Sequence, residues 1–440
     1  MKLLFIENRY KTYFFDAVAA QLQQLGHDIY WIVQNPIFTP KTGEINVIPF
    51  PSKHTKTKIT VDISDILESD RQLNFFNKKD TTYFYYYYDQ IKNQFKKIAP
   101  DLTFGESTQF HELITAKICR DEKALYLHPS SCRYPSGRFS FYKFDTVEPY
   151  LGSQEKLMNK EANKIIASIV NRSSKPDYMK KVPLDRKKTL KDKAKILKGY
   201  LQGEIYNTPP PIVKFKREKQ KKQNIIEWNS KSTNKIDKDH FSLLYPLHLQ
   251  PEANIDVWGR PRRDQFKNIR AITESLQDGQ KLYVKPNPKS KYELSKKLID
   301  FIESQQNVEM LHHETEMDAV FNDIDLFITV NGTIALECIF ANKPVLTLVK
   351  VFFNRARNCL YLQGFTEIQV YIERIKKNNF PVLSEEEKID FLNLLNRTSY
   401  SGIISDPYSS RASVSPENIR IVTSAFQLLL KSYHDQKSIA

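Results

Sequence analysis

Residues 242–253 are SLLYPLHLQPEA, and the reading of that stretch decides the fold. Leu243, Leu244 and Tyr245 form a short apolar run closed by Pro246, which predicts a brief buried strand, because proline cannot continue the ladder. His248, Gln250, Pro251 and Glu252 follow at once. In an open α/β sheet, ligands bind just outside the carboxyl ends of the strands. A histidine and a glutamate released there are placed for contact rather than for packing. The alternative is a loop that only caps a strand, and the rest of the chain has to decide.

Further strands are predicted at KLYVK, VEML, DLFITV and PVLTLV, separated by helical stretches at 265–276, 291–305, 316–321 and 333–341. Two more strand ends carry polar groups: KPNPK with Lys285 and Asn287, and VNGTIALE with Asn331, Gly332, Thr333 and Glu337. In the latter a helix starts immediately after Asn-Gly-Thr, so first-turn amides and a hydroxyl make an anion site at the positive helix terminus. An ordinary N-cap needs one such residue, and here three small polar residues precede the helix.

The chain opens in the same style. KLLFIE is a strand, residues 12–25 have helical apolar spacing, Gly26 is a natural helix stop, and DIYWIV is a second strand. This β-α-β order predicts a parallel sheet with a right-handed crossover. INVIPF is another strand, and the Tyr/Phe block at 84–88 is expected as a helix face against the sheet. PDLTFGESTQFHE places Glu106 at a strand-to-helix junction. After the strand ALYLH, residues 129–149 look too rich in Pro, Ser and Gly for a regular element, yet Arg133, Arg138 and Asp145 crowd within them. Irregular polar loops on rigid scaffolds are where function concentrates. The fold class expected is therefore α/β, two Rossmann-like lobes facing a central cleft: 1–152 as the N-terminal lobe, 153–223 as a basic, mostly helical insertion, and 224–440 as the C-terminal lobe.

Composition agrees with a folded chain of two domains: 440 residues, 40% apolar and 12% aromatic. Cys119, Cys132, Cys338 and Cys359 show neither a disulfide framework nor zinc-ligand spacing, and a reducing cytoplasm is expected. No apolar run is long enough for a signal peptide or a membrane span. The net charge of +15 is concentrated: 153–222 holds 20 Lys and Arg against 7 Asp and Glu. A solvated helical insertion is the ordinary fate of such a run. A partner fits better: docking to the inner face of the cytoplasmic membrane, at about 1 kcal/mol per basic residue close to the surface. Nucleic acid is not expected, because the excess is confined to this segment.

YPLHLQPEA, DQFKNI with Asp264 and Gln265, LYVKPNP and TVNGTIALECIFANKPVLTL, together with FGESTQFHE and RYPSGRFSFY, resemble in order and spacing the bacterial capsule and lipopolysaccharide polysaccharide-biosynthesis family of GT-B glycosyltransferases, which includes the retaining β-Kdo transferases. The resemblance implies a CMP-activated donor such as CMP-Kdo or a related 2-keto sugar acid, and a glycan or lipid-linked glycan acceptor. It implies that Lys285 and Asn287 approach the donor phosphate, that Asn331, Gly332 and Thr333 hold phosphate or ribose, and that His248, Glu252 and Glu337 complete the donor side. The chain departs from the family at Asn287, where a histidine is usual, and at Tyr142, where relatives tend to have an aspartate.

Transfer needs a stabilised leaving phosphate, for which Lys285, the Thr333 helix terminus and one of Arg260, Arg262 or Arg263 are suited. A retaining double displacement needs a carboxylate nucleophile, an inverting route a general base. Asp145 and Glu106 are the catalytic candidates, and the family resemblance implies the retaining route. No metal and no further cofactor are expected; the triplet Asp323-Ile324-Asp325 fits a helix end leading into DLFITV. Two other classes compete: a nucleotide-sugar epimerase of the same architecture, which has no acceptor, and a non-catalytic polyanion-binding protein.

Overall fold

The computed structural model of the protein describes residues 1–52, 61–173 and 186–439, and of 186–191 and 437–439 the backbone alone. The strands are β1 (Lys2–Ile6), β2 (Asp28–Val33), β3 (Glu44–Val47), β4 (Leu102–Phe104), β5 (Tyr126–Ser131), β6 (Arg138–Lys143), β7 (Phe241–Pro246), β8 (Gln280–Lys285), β9 (Val308–Met310), β10 (Leu326–Thr329), β11 (Val345–Thr347), β12 (Cys359–Tyr361) and β13 (Tyr400–Ser401). They form two sheets, in the orders β13, β6, β5, β4, β1, β2, β3 and β12, β11, β10, β7, β8, β9. The second is parallel throughout. The first is parallel from β5 to β3 and antiparallel at β6 and β13.

The chain divides into two compact units. The first is Met1–Leu157, Lys175–Pro210 and Asn393–Ala440; the second is Met158–Ser174 and Pro211–Leu392. Both are α/β units on a largely parallel sheet, the fold class read from the sequence. In the first, Leu3, Phe5, Trp31 and Phe104 of the strands meet Phe14, Phe15, Val18 and Leu22 of helix Thr12–Gln24. Val422, Phe426, Leu429 and Leu430 of the C-terminal helix Pro416–Ile439 complete that core. Helix Thr82–Ile98 buries Tyr83, Phe84, Tyr86, Tyr87 and Tyr88, which is the apolar face expected of the Tyr/Phe block.

Three features differ from the sequence expectation. Residues 138–143 are a strand, paired with β5 from Leu127↔Lys143 to Ser131↔Phe139. The alternation of Phe139 and Phe141, fully buried, with less buried neighbours makes that ladder, and the Pro, Ser and Gly before it form the hairpin turn. The units also divide the chain differently from 1–152, 153–223 and 224–440, since 393–440 packs with the first unit.

The basic stretch is divided between the units rather than forming an insertion. Helix Asn159–Val170 buries Ala162, Ile166 and Ile169, and helix Pro211–Ser230 runs through the expected 223/224 boundary. Trp228 of the latter is fully buried, its Nε1–H donating to Leu311 O at 2.8 Å. Around Glu204, the amides of Tyr206 and Asn207 donate at 3.2 and 2.8 Å and Gln34 Nε2 at 3.3 Å, tying this stretch to the first unit. A charge count along the chain hides apolar residues spaced on one helix face, and those residues place the segments. Positions 174–185 of the basic stretch lie outside the described residues.

Candidate functional site

The carboxyl edge of the second unit's sheet is where the sequence put a site. β10, β7 and β8 are neighbours and run parallel, so Thr329 to Thr333, His248 to Glu252 and Lys285 to Asn287 leave the sheet on one edge. The Leu247 amide donates to Lys285 O at 2.8 Å, which continues the ladder as the chain turns away.

His248 is the hub. Its backbone N–H donates to Gln265 Oε1 at 2.8 Å, and Gln265 Nε2 donates back to His248 O at 3.0 Å and to Gln250 Oε1 at 3.2 Å. Gln265 is 4% exposed, just inside helix Gln265–Glu274, whose N-cap Asp264 accepts from the Lys267 amide at 3.1 Å. Gln250 Nε2 donates to Asp256 Oδ1 at 2.7 Å, and Asp256 also takes the Glu252 amide at 3.0 Å and Arg263 Nη2 at 3.1 Å. Burial raises the Asp256 carboxyl above its ordinary range, and Gln250 and Arg263 oppose that rise. Paired in this way, a buried carboxylate fixes the loop.

On the β10 side, the His248 Nε2 to Thr329 Oγ1 distance is 3.2 Å, and the Gly332 amide donates to the same hydroxyl at 3.2 Å. A Cβ on Gly332 would lie 2.7 Å from Thr329 Oγ1 and 3.4 Å from His248 Cε1, so the close approach of this turn demands glycine. Asn331 Nδ2 donates to Asn254 O at 2.7 Å. Thr333 then stands at the N-cap position of helix Ile334–Ala341 without a side-chain cap, and the amides of Ala335 and Leu336 in the first turn donate to Gly332 O and Thr333 O at 3.1 and 3.0 Å. His248, Asn331, Gly332 and Thr333 are thus brought together, and Glu252 adjoins them through Asp256.

Lys285 and Asn287 stand on the same edge, two strand spacings, about 10 Å, from β10. Lys285 is 3% exposed and its Nζ donates to Pro286 O at 2.8 Å and His313 O at 3.2 Å. Burial pulls this ammonium down to about 8. Asn287 Oδ1 accepts from the Lys289 amide at 2.9 Å, which closes a local turn. Glu337 is held in a different way: its carboxylate pairs with Arg172, which also pairs with Asp318 and lies 4.8 Å over the Phe321 ring. This ties helix Ile334–Ala341 to the end of helix Asn159–Val170.

The two catalytic candidates belong to the first unit and are not brought together. β4 and β6 both end level with Leu127 but run in opposite directions. Glu106 is therefore carried toward the carboxyl ends of the parallel strands and Asp145 away from them. Glu106 is 7% exposed and pairs with Lys11; burial raises its carboxyl and Lys11 opposes this. Asp145 pairs with Arg120 Nη2 at 2.6 Å.

Sequence reasoning did not assign roles to Gln265, Asp256, Thr329 or Arg172. Gln265 was visible as a polar residue on the inward side of an amphipathic helix. Thr329 and Arg172 acquire their roles from contacts distant in the chain, and Asp256 from a loop that folds back on itself. Among the described residues, no group of three or more His, Cys, Asp or Glu is placed to hold a metal ion.

No protein-family model matches the chain, and no curated protein matches it. Among solved structures it is similar to KpsC, the β-Kdo 2,7 transferase of Thermosulfurimonas dismutans, at 8% identity and a TM-score of 0.39, over 92% of this chain and 94% of that one. It is also similar to the UDP-GlcNAc 2-epimerase of Methanocaldococcus jannaschii, at 14% identity and 0.29, over 90% and 99%. MurG of Acinetobacter baumannii gives 10% identity and 0.27, over 97% and 99%. The two largely parallel sheets described above place this chain in the α/β class.

Proposed function

We propose that the chain is a glycosyltransferase of bacterial surface polysaccharide synthesis, capsule or lipopolysaccharide. It transfers a 2-keto sugar acid, Kdo or a sialic-acid-like sugar, from a CMP-linked donor to a glycan or lipid-linked glycan. The observation that carries this reading is the close turn at Thr329–Gly332 under the start of helix Ile334–Ala341. It brings the positive end of the helix to a phosphate-sized position, with the Lys285 ammonium on the same sheet edge. Such an edge stabilises the negative charge that a nucleotide leaves with, which is the larger part of the work in glycosyl transfer. Of the two carboxylates, Glu106 suits the reacting centre better, as burial raises its pKa toward the range useful to a base. The reading assigns no metal.

The test is thermal stabilisation by CMP, UDP and GDP. CMP is expected to stabilise the protein, and Gly332→Ala to weaken its binding about tenfold or more by displacing the Thr329 hydroxyl. Stabilisation by UDP or GDP alone overturns the donor class; no response to any nucleotide overturns the transferase reading.

The membrane partner is proposed on a narrower basis than the whole basic stretch. On helix Pro211–Ser230 the residues Ile212, Phe215, Lys219, Lys222 and Ile226 follow one face at spacings of three and four, and all are exposed. Ile212, Phe215 and Ile226 are 70–71% exposed. Large apolar side chains among lysines suit the headgroup boundary of an anionic bilayer. Deleting 153–222 would remove core-forming helices, so the test is Phe215→Glu. It is expected to abolish sedimentation with phosphatidylglycerol vesicles at unchanged stability; unchanged sedimentation overturns the docking.

A further inference from the structure

The first unit carries a second concentration of charge that the donor site does not use. Its strands β1 and β2 end in Glu7 to Lys11 and Gln34 to Asn35, and helix Phe110–Asp121 starts beside them. The carboxylates here are taken. Glu7 accepts from the amides of Arg9 and Asn35, the latter at 3.0 Å. Glu112 accepts from the amides of Thr108 and Gln109 at 2.9 and 2.8 Å and from Asn8 Nδ2. Glu204 accepts from Gln34, Tyr206, Asn207 and Thr208, and Glu106 from Lys11. His111 is fully buried, with Nε2 2.8 Å from Glu7 O and Nδ1 3.1 Å from Asn207 Nδ2, which makes Nε2 the protonated nitrogen.

The guanidiniums are not taken. Arg9 Nε and Arg71 Nη2 are buried atoms, and neither has a hydrogen-bond partner among the described residues. Neither side chain forms an ion pair there; Arg9 has only the Phe38 ring, 5.8 Å from its guanidinium carbon. Arg9 also sits in the left-handed region, at φ 41°, an uncommon backbone for arginine and one that persists where surroundings impose it. The two arginines are near enough to repel: burial first, then the Arg9 charge, lowers the proton affinity of Arg71, and the more distant carboxylates of Asp70, Glu112 and Glu204 oppose this without forming an ion pair. Two arginines of like charge, partly buried and with no carboxylate in ion-pair contact among the described residues, are the arrangement that an incoming oxyanion relieves, by charge-assisted and bidentate hydrogen bonds. Both residues keep part of their surface open to solvent, so the position is reachable.

We propose that Arg9 and Arg71 form an oxyanion site in the first unit, separate from the donor edge, that takes a phosphate or carboxylate group of the acceptor. The acceptor as its source rests on the transferase reading; the anion site itself does not.

The test uses the full chain and inorganic phosphate or acetate, each against sodium chloride of equal ionic strength, in thermal unfolding and calorimetric titration. Phosphate or acetate is expected to raise the melting temperature of the wild type beyond the chloride control, and the tighter of the two names the group. Arg71→Gln and Arg9→Gln are expected to bind it about tenfold more weakly. Arg71→Gln is expected to melt no lower than wild type in anion-free buffer, because it removes a buried charge without a partner. Arg71→Lys keeps a charge but loses the fork, and is expected to recover binding only in part. A wild type indifferent to both anions, a glutamine variant that responds like wild type, or an Arg71→Gln protein destabilised without anion overturns the site. The anion titrations are repeated in Thr333→Ala, where a response that persists excludes the donor edge and one that disappears overturns the proposal. If CMP fails to bind while the arginine-dependent anion response stands, the transferase reading falls and the site remains.

Discussion

The carboxyl edges of the two sheets occupy equivalent places in their units and are furnished in opposite ways. In the second unit the edge is mostly neutral: amides, hydroxyls and an imidazole satisfy one another around His248, Gln265 and Thr329, and its buried Asp256 has Arg263. In the first, Glu7, Arg9, Arg71, Glu106, His111, Glu112 and Glu204 gather at the edge, and the two arginines among them form no ion pair with the described residues. The same topology can thus present a pre-formed dipolar cradle, stable when empty, or a charged site that stores electrostatic stress until a ligand arrives.

The sharpest way to break this contrast is to remove a member of the neutral network. Gln265→Leu strands the His248 amide and carbonyl and the Gln250 carbonyl oxygen, and is expected to destabilise the protein by about 2–3 kcal/mol. Urea unfolding measures it. A loss well under 1 kcal/mol would mean that the network is not mutually dependent.

The pH dependence of stability probes the charged edge. Burial pushes the Glu7 carboxyl up to about 8 from an ordinary 4.5. The native state therefore keeps a proton that the unfolded chain has released, and this contribution to stability is full below pH 4.5 and lost as pH rises to about 8. The slope is up to ~1 kcal/mol per pH unit. His111, lowered to about 4 by burial, acts in the opposite sense, its contribution being lost as pH falls from 6.5 to about 4. Glu7→Gln is expected to flatten the stability curve between pH 6.5 and 8, read by thermal unfolding across that range. An unchanged slope would remove Glu7 from the comparison.

The smallest effect belongs to Asn287, whose side chain closes a local turn. Asn287→Ala is expected to cost about 0.5–1 kcal/mol in urea unfolding and to leave the pH slope untouched. A larger loss, or an altered slope, would tie this residue to the charged groups rather than to its own loop.

Much of the second unit was legible in the sequence, because a parallel sheet writes its strands as short apolar runs with polar residues released at the ends. SLLYPL, KLYVK and DLFITV are such runs, and they lead to His248, Lys285 and Asn331. β6 was not legible, as the hairpin composition ahead of Arg138 masked a clear period of two. Glu204 was hidden inside a charge run whose placement depends on residues far away in the chain. Arg71 carried no local signal: the sequence shows an arginine in a polar stretch, and only the fold shows that it is sunk beside Arg9. Glu106 was visible as a carboxylate at an element end and Asp145 as one in an irregular loop, but the direction of β6, which separates them, was not.

β13 and helix Pro416–Ile439 close the sheet and the core that β1 began. During synthesis, the first unit therefore waits for residues 400–433: its β1-helix-β2 stretch leaves the ribosome with Phe5 and Phe14 lacking the cover of Phe426 and Leu429. The second unit, encoded between, has all of its strands by residue 361. A stop or frameshift beyond residue 392 would spare the sheet that holds the proposed donor edge and expose the apolar face of the other.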